Sequence, residues 1–304
     1  MERENILYKI RRKGQVFAHR IVPTTLLVKL YSAIVLKKKV NIRNPETFNE
    51  KILWSMLYYY PNDPLVIKCT DKYSVREYIK DKKLGKILVP LYGVWDSVDE
   101  IKWDEMPDKF VLKCTHGCAY NIICHNKSFM NIHKIEKQLS KWLSEDFGEF
   151  NNELHYSKIK SRRIICEKYL GECITDYKFF CFSGQPKYLY VSNDLAHDRQ
   201  AQIGFFDLEG NRLQLRRKDY KEIQEVEFPP FYNEMIECAK ILSKDFPFVR
   251  VDFFLADNKF YFAELTFTPS GGMMPFDPIK DDLEWGREIN LSEKYYLYNK
   301  KSKI

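Results

Sequence analysis

The stretch VRVDFFLADNKFYFAELTFTPSGG, Val249 to Gly272, constrains the chain most, because it sets three charges inside what otherwise reads as two buried strands. With side chains alternating between faces, Arg250, Asp252 and Phe254 share one face of the first run, and Val249, Val251, Phe253 and Leu255 take the other. Along the second run, Phe260, Phe262, Glu264 and Thr266 fall together. If Asp257–Lys259 is a three-residue connection, Ala256 opposes Phe260 and Asp252 faces Glu264; a two-residue turn sends the two carboxylates to opposite faces. Facing carboxylates repel unless a cation or a proton sits between them. Hard oxygen donors suit Mg²⁺, which takes one or two carboxylates together with substrate phosphates. The competing arrangement is an Arg250–Asp252 ion pair with Glu264 on some other base, since buried charges are normally paired. The run then reaches Pro269, Gly271 and Gly272, a backbone able to approach a ligand closely and offer N–H groups to an anion.

At 304 residues and 45% hydrophobic, the chain is long enough to bury a sizeable core, with length suggesting about two domains. Its eight cysteines are scattered, several within apolar runs, and no cleavable secretory signal precedes them, so a reducing, cytoplasmic setting is expected. Charge is distributed unevenly. Residues 1–43 carry 11 Lys and Arg against two Asp and Glu, a net +9, while the rest of the chain is at −2. Within that arm, IVPTTLLVKLYSAIVLKKK (Ile21–Lys39) is interrupted by Pro23 and Lys29 and is shorter than the roughly 20 residues a spanning helix needs. An amphipathic helix flanked by Lys and Arg either lies on an anionic membrane surface or packs on the body with a solvated basic face. No nucleic-acid partner is expected.

There is no repeat of fixed period and no low-complexity linker. Thr47–Tyr60 and Asp71–Gly85 read as helices, and DKFVLKCTHG with AYNIICHN reads as a hairpin joined at His116–Ala119. A helix over about Asn131–Ser144 follows, then strands in RRIICEKYL, YKFFCFSGQPKYLYVSND and QIGFFDLEGNRLQLR, and a helix from about Pro230 to Lys244. Helices and strands mix without strict alternation, so the fold class expected is α+β with antiparallel sheets. Cys114, His116, Cys118, Cys124 and His125 lie within twelve positions, yet without a paired C-x2-C, and a strand phase that turns Cys114 away from Lys113 argues against zinc. Neither a P-loop nor a strand-linked G-x-G-x-x-G is present.

VRVDFF…FYFAELTFTPSGG resembles the signature strand pair of the ATP-grasp superfamily, and FVLKCTHGCAYNIIC and RIICEKYLGE follow that fold's order. DYKFFCFSGQPKYLYV, taken with DKYSVREYI, PLYGVWDS and PDKFVLKCTHG, is similar to its TupA-like branch over roughly Pro64 to Asp277. The resemblance implies two α/β subdomains enclosing ATP, with a basic helical segment at 1–63, a small subdomain in 64–166 and a large one with the metal site in 167–304. It implies ATP and Mg²⁺ as cofactors, Asp252, Glu264 and a weaker Thr266 as metal ligands, and Arg250, Lys113 and Lys178 on the phosphates and the reacting group. Adenine would sit at Glu167, Lys168, Tyr169 and Leu170, ribose at Asp176 or Glu172, and His116 and Asn121 at phosphate or substrate. Thr266 replaces an Asn common in the superfamily, and the loop CTHGCAYN has one Gly rather than several. The implied activity is carboxylate–amine ligation through an acyl phosphate, on small-molecule or glycan substrates of capsular or cell-wall polysaccharide synthesis. A glycosyltransferase, which would need an Asp-x-Asp element, and a non-catalytic nucleotide-binding module are the alternatives.

Overall fold

A computed structural model describes Gly14, Ala18 and residues 21–172, 174–193, 201–215 and 220–299. Its frame is two sheets. The first, in the order β1-β4-β2-β3, joins β1 (Leu91–Trp95), β2 (Phe110–Cys114), β3 (Asn121–Cys124) and β4 (Ile164–Lys168), antiparallel throughout. The second, β10-β9-β5-β6-β7-β8, joins β5 (Thr175–Phe182), β6 (Gln185–Asn193), β7 (Gln202–Asp207), β8 (Lys221–Glu222), β9 (Phe248–Ala256) and β10 (Lys259–Thr266). Only the short β7–β8 pair is parallel. The α+β class with antiparallel sheets therefore holds.

The helices α1 (Thr24–Leu36), α2 (Phe48–Trp54), α3 (Pro64–Thr70) and α4 (Val75–Asp81) precede the sheets. Thr47 and Glu50 form a capping box that starts α2, and the chain continues through a π turn, Ser55–Tyr59, before Asp63 caps α3 with Pro64 at its first position. The expected helix Thr47–Tyr60 is thus α2 plus that turn. Phe48 is wholly enclosed, edge-on to Phe248 and Trp285. Residues of this region from Val28 to Leu88 share one core with the second sheet. The first sheet has its own core under α5 (Ile132–Ser144), which Asn131 caps and which buries Leu139 and Trp142.

α6 (Phe147–Asn151) and α7 (Leu154–Ser157) lead back to β4. α8 (Tyr232–Ser243) packs across β5, β6 and β9 on the face of the second sheet that carries Val249, Val251 and Phe253. Burying each of those side chains contributes about 1.5–3 kcal/mol. α8 starts two residues later than expected, because the Tyr232 N–H bonds the Pro229 carbonyl. α9 (Lys280–Glu288), α10 (Ser292–Asn299) and α2 close the molecule, with Trp285 stacked on Tyr188. A second strand after Gly210 does not form in the described residues: only an Arg212–Phe206 bridge does, and residues 216–219 lie outside them.

The β9–β10 hairpin differs from the expected geometry at two places. Its turn has two residues, Asp257 and Asn258, both with left-handed φ near 50°, and Ala256 pairs with Lys259. Alone, that turn would separate the carboxylates. A bulge at Ala263, between the pairs Phe262–Phe253 and Glu264–Asp252, advances the strand by one and brings Glu264 opposite Asp252. It also flips the phase: Phe260 and Phe262 are buried with Leu265, whereas Glu264 and Thr266 are partly open. The expected grouping of Phe260 and Phe262 with Glu264 is therefore corrected, and Tyr261 takes that face instead.

Candidate active site

Three adjacent strands, β5, β9 and β10, bring their charges to one face. Lys178 pairs with Asp252 across β5–β9, Asp252 with Glu264 and Arg250 with Thr266 across β9–β10. Arg250 grips the fully buried Asp252 with both ends of its fork, Nε to Oδ1 at 2.7 Å and Nη2 to Oδ2 at 2.6 Å. Lys178 Nζ sits 2.7 Å from Asp176 Oδ1 and 3.3 Å from Asp252 Oδ2. Thr266 Oγ1 lies 2.9 Å from Glu264 Oε1 and 3.5 Å from Asp252 Oδ2, so three oxygens from three side chains converge.

Burial disfavours the charged forms of Arg250 and Lys178, but the neighbouring carboxylates outweigh it and raise both. Burial pushes Glu264 up, and the cations Lys72, Arg250 and Lys178 more than reverse this and hold it below the usual carboxylate range. Asp176 is raised by burial, with Lys178 opposing.

The first sheet supplies the other wall. Lys113 Nζ is 2.5 Å from Glu167 Oε2 and 5.8 Å from the centre of the Phe254 ring, on the charged face of β9. Arg76 braces Glu167 from α4, with Nη1 3.4 Å from Oε1 and Nη2 donating to the Val89 carbonyl at 2.7 Å. Val89, Leu170 and Ala256, with Ile174, Phe254 and Tyr261 against them, form an apolar patch next to this bridge. Such a floor is suited to a planar base. Lys168 is exposed and its amide donates to Pro90 O, while Tyr169 packs edge-on to His125. Asn121 opens β3 opposite Lys113.

His116 is not at the cleft. Its ring is buried under the loop, with Nε2 on the Trp142 carbonyl and Tyr120 beside it. Asp176 is likewise buried and committed to Lys178, whereas Glu172 is exposed near His125.

Two residues went unnoticed in the sequence. Lys72 donates from Nζ to the Gly117 carbonyl at 2.7 Å and from its amide to Thr115, tying the loop after β2 to the α3–α4 junction. Its charge is the largest single influence lowering Glu264. Glu153, just before α7, accepts a hydrogen bond from Thr268 in the turn after β10, and burial pushes its carboxyl up to about 7. Lys72 follows a capping Asp71 and so was detectable as a lysine fixed in place; nothing local marks Glu153.

Among the described residues no group of three or more His, Cys, Asp or Glu is placed to hold a metal ion. Cys114 points into the core, opposite to Lys113. The converging oxygens of Asp252, Glu264 and Thr266 fit Mg²⁺, a hard ion that completes its shell with water and phosphate.

The sequence model of the TupA-like ATPgrasp family matches residues 50–290. The chain belongs to the TupA-like ATP-grasp family. Among solved structures this family member is similar to D-alanine–D-alanine ligase from Bacillus anthracis complexed with ATP (13% identity, 66% of this chain and 53% of that one, TM-score 0.40). It is also similar to D-alanine–D-alanine ligase from Helicobacter pylori (16%, 74% and 62%, TM-score 0.44) and to biotin carboxylase from Campylobacter jejuni (14%, 74% and 46%, TM-score 0.41). In each case the chain spans less than two thirds of the other protein. No curated protein matches it.

For a TupA-like ATP-grasp chain, Lys113 is the informative cation, since Lys109 on the same strand approach is exposed. Lys113→Met should weaken binding of a non-hydrolysable ATP analogue by about tenfold or more, the scale of one charge-assisted hydrogen bond. Lys109→Met should bind as the wild type does. Equal titration curves for the two variants would remove Lys113 from the nucleotide site.

Proposed function

We propose that the chain is an ADP-forming ligase that joins a carboxylate to an amine at the cleft between the two sheets. The observation that carries this reading is the convergence of Asp252, Glu264 and Thr266 oxygens beside Arg250 and Lys178, facing Lys113 from the other sheet. When bound, ATP supplies the phosphoryl group that turns a carboxylate into an acyl phosphate, and Mg²⁺ offsets the phosphate charge.

The chain's own groups position and neutralise. Lys113 would meet a phosphate from beside Glu167, a carboxylate that Arg76 also holds. Arg250, a planar fork fixed by Asp252, would offer positive charge to the phosphoryl oxygens. Lys178 supplies a second, enclosed positive charge. Asp252, Glu264 and Thr266 would hold the metal. The apolar patch of Val89, Leu170, Phe254 and Tyr261 takes adenine.

The substrate class we assign is a sugar or uronic-acid carboxylate with an amino acid or other amine, in surface polysaccharide synthesis. Assaying ADP and phosphate release from Mg·ATP across a panel of uronic acids and amino acids tests it. Release that requires one acid and one amine together is the expected result. Nucleoside diphosphate released from a nucleotide sugar without ATP would replace this reading with glycosyl transfer.

A further inference from the structure

The N-terminal helix α1 is only half used by the fold. Leu27, Val28 and Ser32 face inward, with Val28 joining the core of the second sheet, and Lys38 just past the helix is 2.5 Å from Asp282 at the start of α9. Leu26, Leu30 and Ile34, each one helical turn apart, stand open at 47%, 53% and 74% exposure. Ile21 before the helix is 66% exposed. A single exposed leucine is ordinary, but three large aliphatics along one line of a docked helix, with Ile21 just before it, are a surface in search of an apolar phase. Cations rim them: Lys29 beside the stripe, and Lys37, Lys39 and Arg43 at its end, are exposed.

We infer that this stripe docks the protein on an anionic lipid surface, with α1 lying in the interface. Charge complementarity selects lipid over a second copy of the chain. Residues 1–43 carry +9, so two copies meeting stripe to stripe would bring like charges together, whereas an anionic leaflet attracts them. No helix among the described residues is long and apolar enough to cross a membrane, so attachment is along the surface and reversible. Because the inward face of α1 is part of the core, the body is held to the surface in one orientation rather than on a loose tether.

Co-sedimentation of the full chain with phosphatidylglycerol–phosphatidylcholine vesicles tests this, with pure phosphatidylcholine as the reference. Each engaged Lys or Arg adds about fivefold to partitioning, so binding to the anionic vesicles should exceed the reference by well over tenfold and collapse at high salt. The triple variant Leu26→Ser, Leu30→Ser, Ile34→Ser removes exposed side chains only. It should lose at least tenfold in vesicle binding with an unchanged thermal midpoint and unchanged ADP release from Mg·ATP. Absence of vesicle binding by the full chain, or equal binding by the triple variant, overturns the inference. A concentration-dependent dimer that the triple variant abolishes would do so too, by giving the stripe to self-association. Failure of the ligase reading would show in ADP release and leave vesicle binding untouched.

Discussion

Glu264→Gln should lower ADP release at saturating Mg·ATP by on the order of a hundred- to a thousandfold while leaving the fold intact. Of the two opposed carboxylates, Asp252 is completely enclosed and engaged by Arg250 and Lys178, whereas the Glu264 side chain is 36% exposed. Glu264 is therefore the negative charge that a ligand in the cleft meets. Lys72, Arg250 and Lys178 together hold it ionised, and an amide at the same position keeps the shape and the Thr266 contact but not the charge. A coupled ADP assay and a thermal melt of the same preparation separate the two effects. Turnover equal to that of the wild type would take Glu264 out of the reaction.

Asp252→Ala should cost stability as well as metal-dependent turnover. It strips Arg250 of both its short contacts and leaves that guanidinium with Thr266 at 3.0 Å and Glu264 at 3.7 Å. Lys178 keeps only Asp176. Breaking an enclosed ion pair by deleting one partner costs about 3–5 kcal/mol, because the surviving charge stays buried and uncompensated. Urea unfolding should therefore show a lower midpoint with an unchanged slope. Asp252→Asn, which fills the same space and can still accept hydrogen bonds, should cost less than Asp252→Ala. A midpoint for Asp252→Ala close to that of the wild type would mean that water, not Asp252, compensates the two cations.

The elements most legible in the sequence were those with a clean period and a local boundary. β2 shows alternation that the burial of Phe110, Leu112 and Cys114 reproduces, and α5 begins at its Asn131 cap. The charged face of β9 was legible for the same reason. The opposition of Asp252 and Glu264 was legible only as a condition on the turn, and the condition was met differently: no local signal marks Ala263 as a bulge, because a small residue between Phe262 and Glu264 fits the alternating pattern equally well. Sequence reading failed most where a contact spans the chain. Lys72 reaches Gly117 across 45 positions and Glu153 reaches Thr268 across 115, and in neither case does the neighbouring pattern point to the partner. His116 shows the same limit: its place in a Gly-bearing loop gives no sign that its ring reaches the Trp142 carbonyl inside the core.

The offset that aligns Asp252 with Glu264 has two contributors, the two-residue tip at Asp257–Asn258 and the extra residue at Ala263. Counted along the chain, the bulged residue is surplus to a two-residue tip: deleting Ala263 leaves a regular ladder in which Phe262 still opposes Phe253 and Glu264 still opposes Asp252, with every side chain on the face it holds now. Loss of Ala263 alone should therefore be tolerated, whereas loss of Asn258, with a two-residue turn and a regular ladder re-formed around it, would move Phe260 and Phe262 to the charged face. In a library that varies the length of this hairpin, chains that keep their activity should include those that lack Ala263 alone.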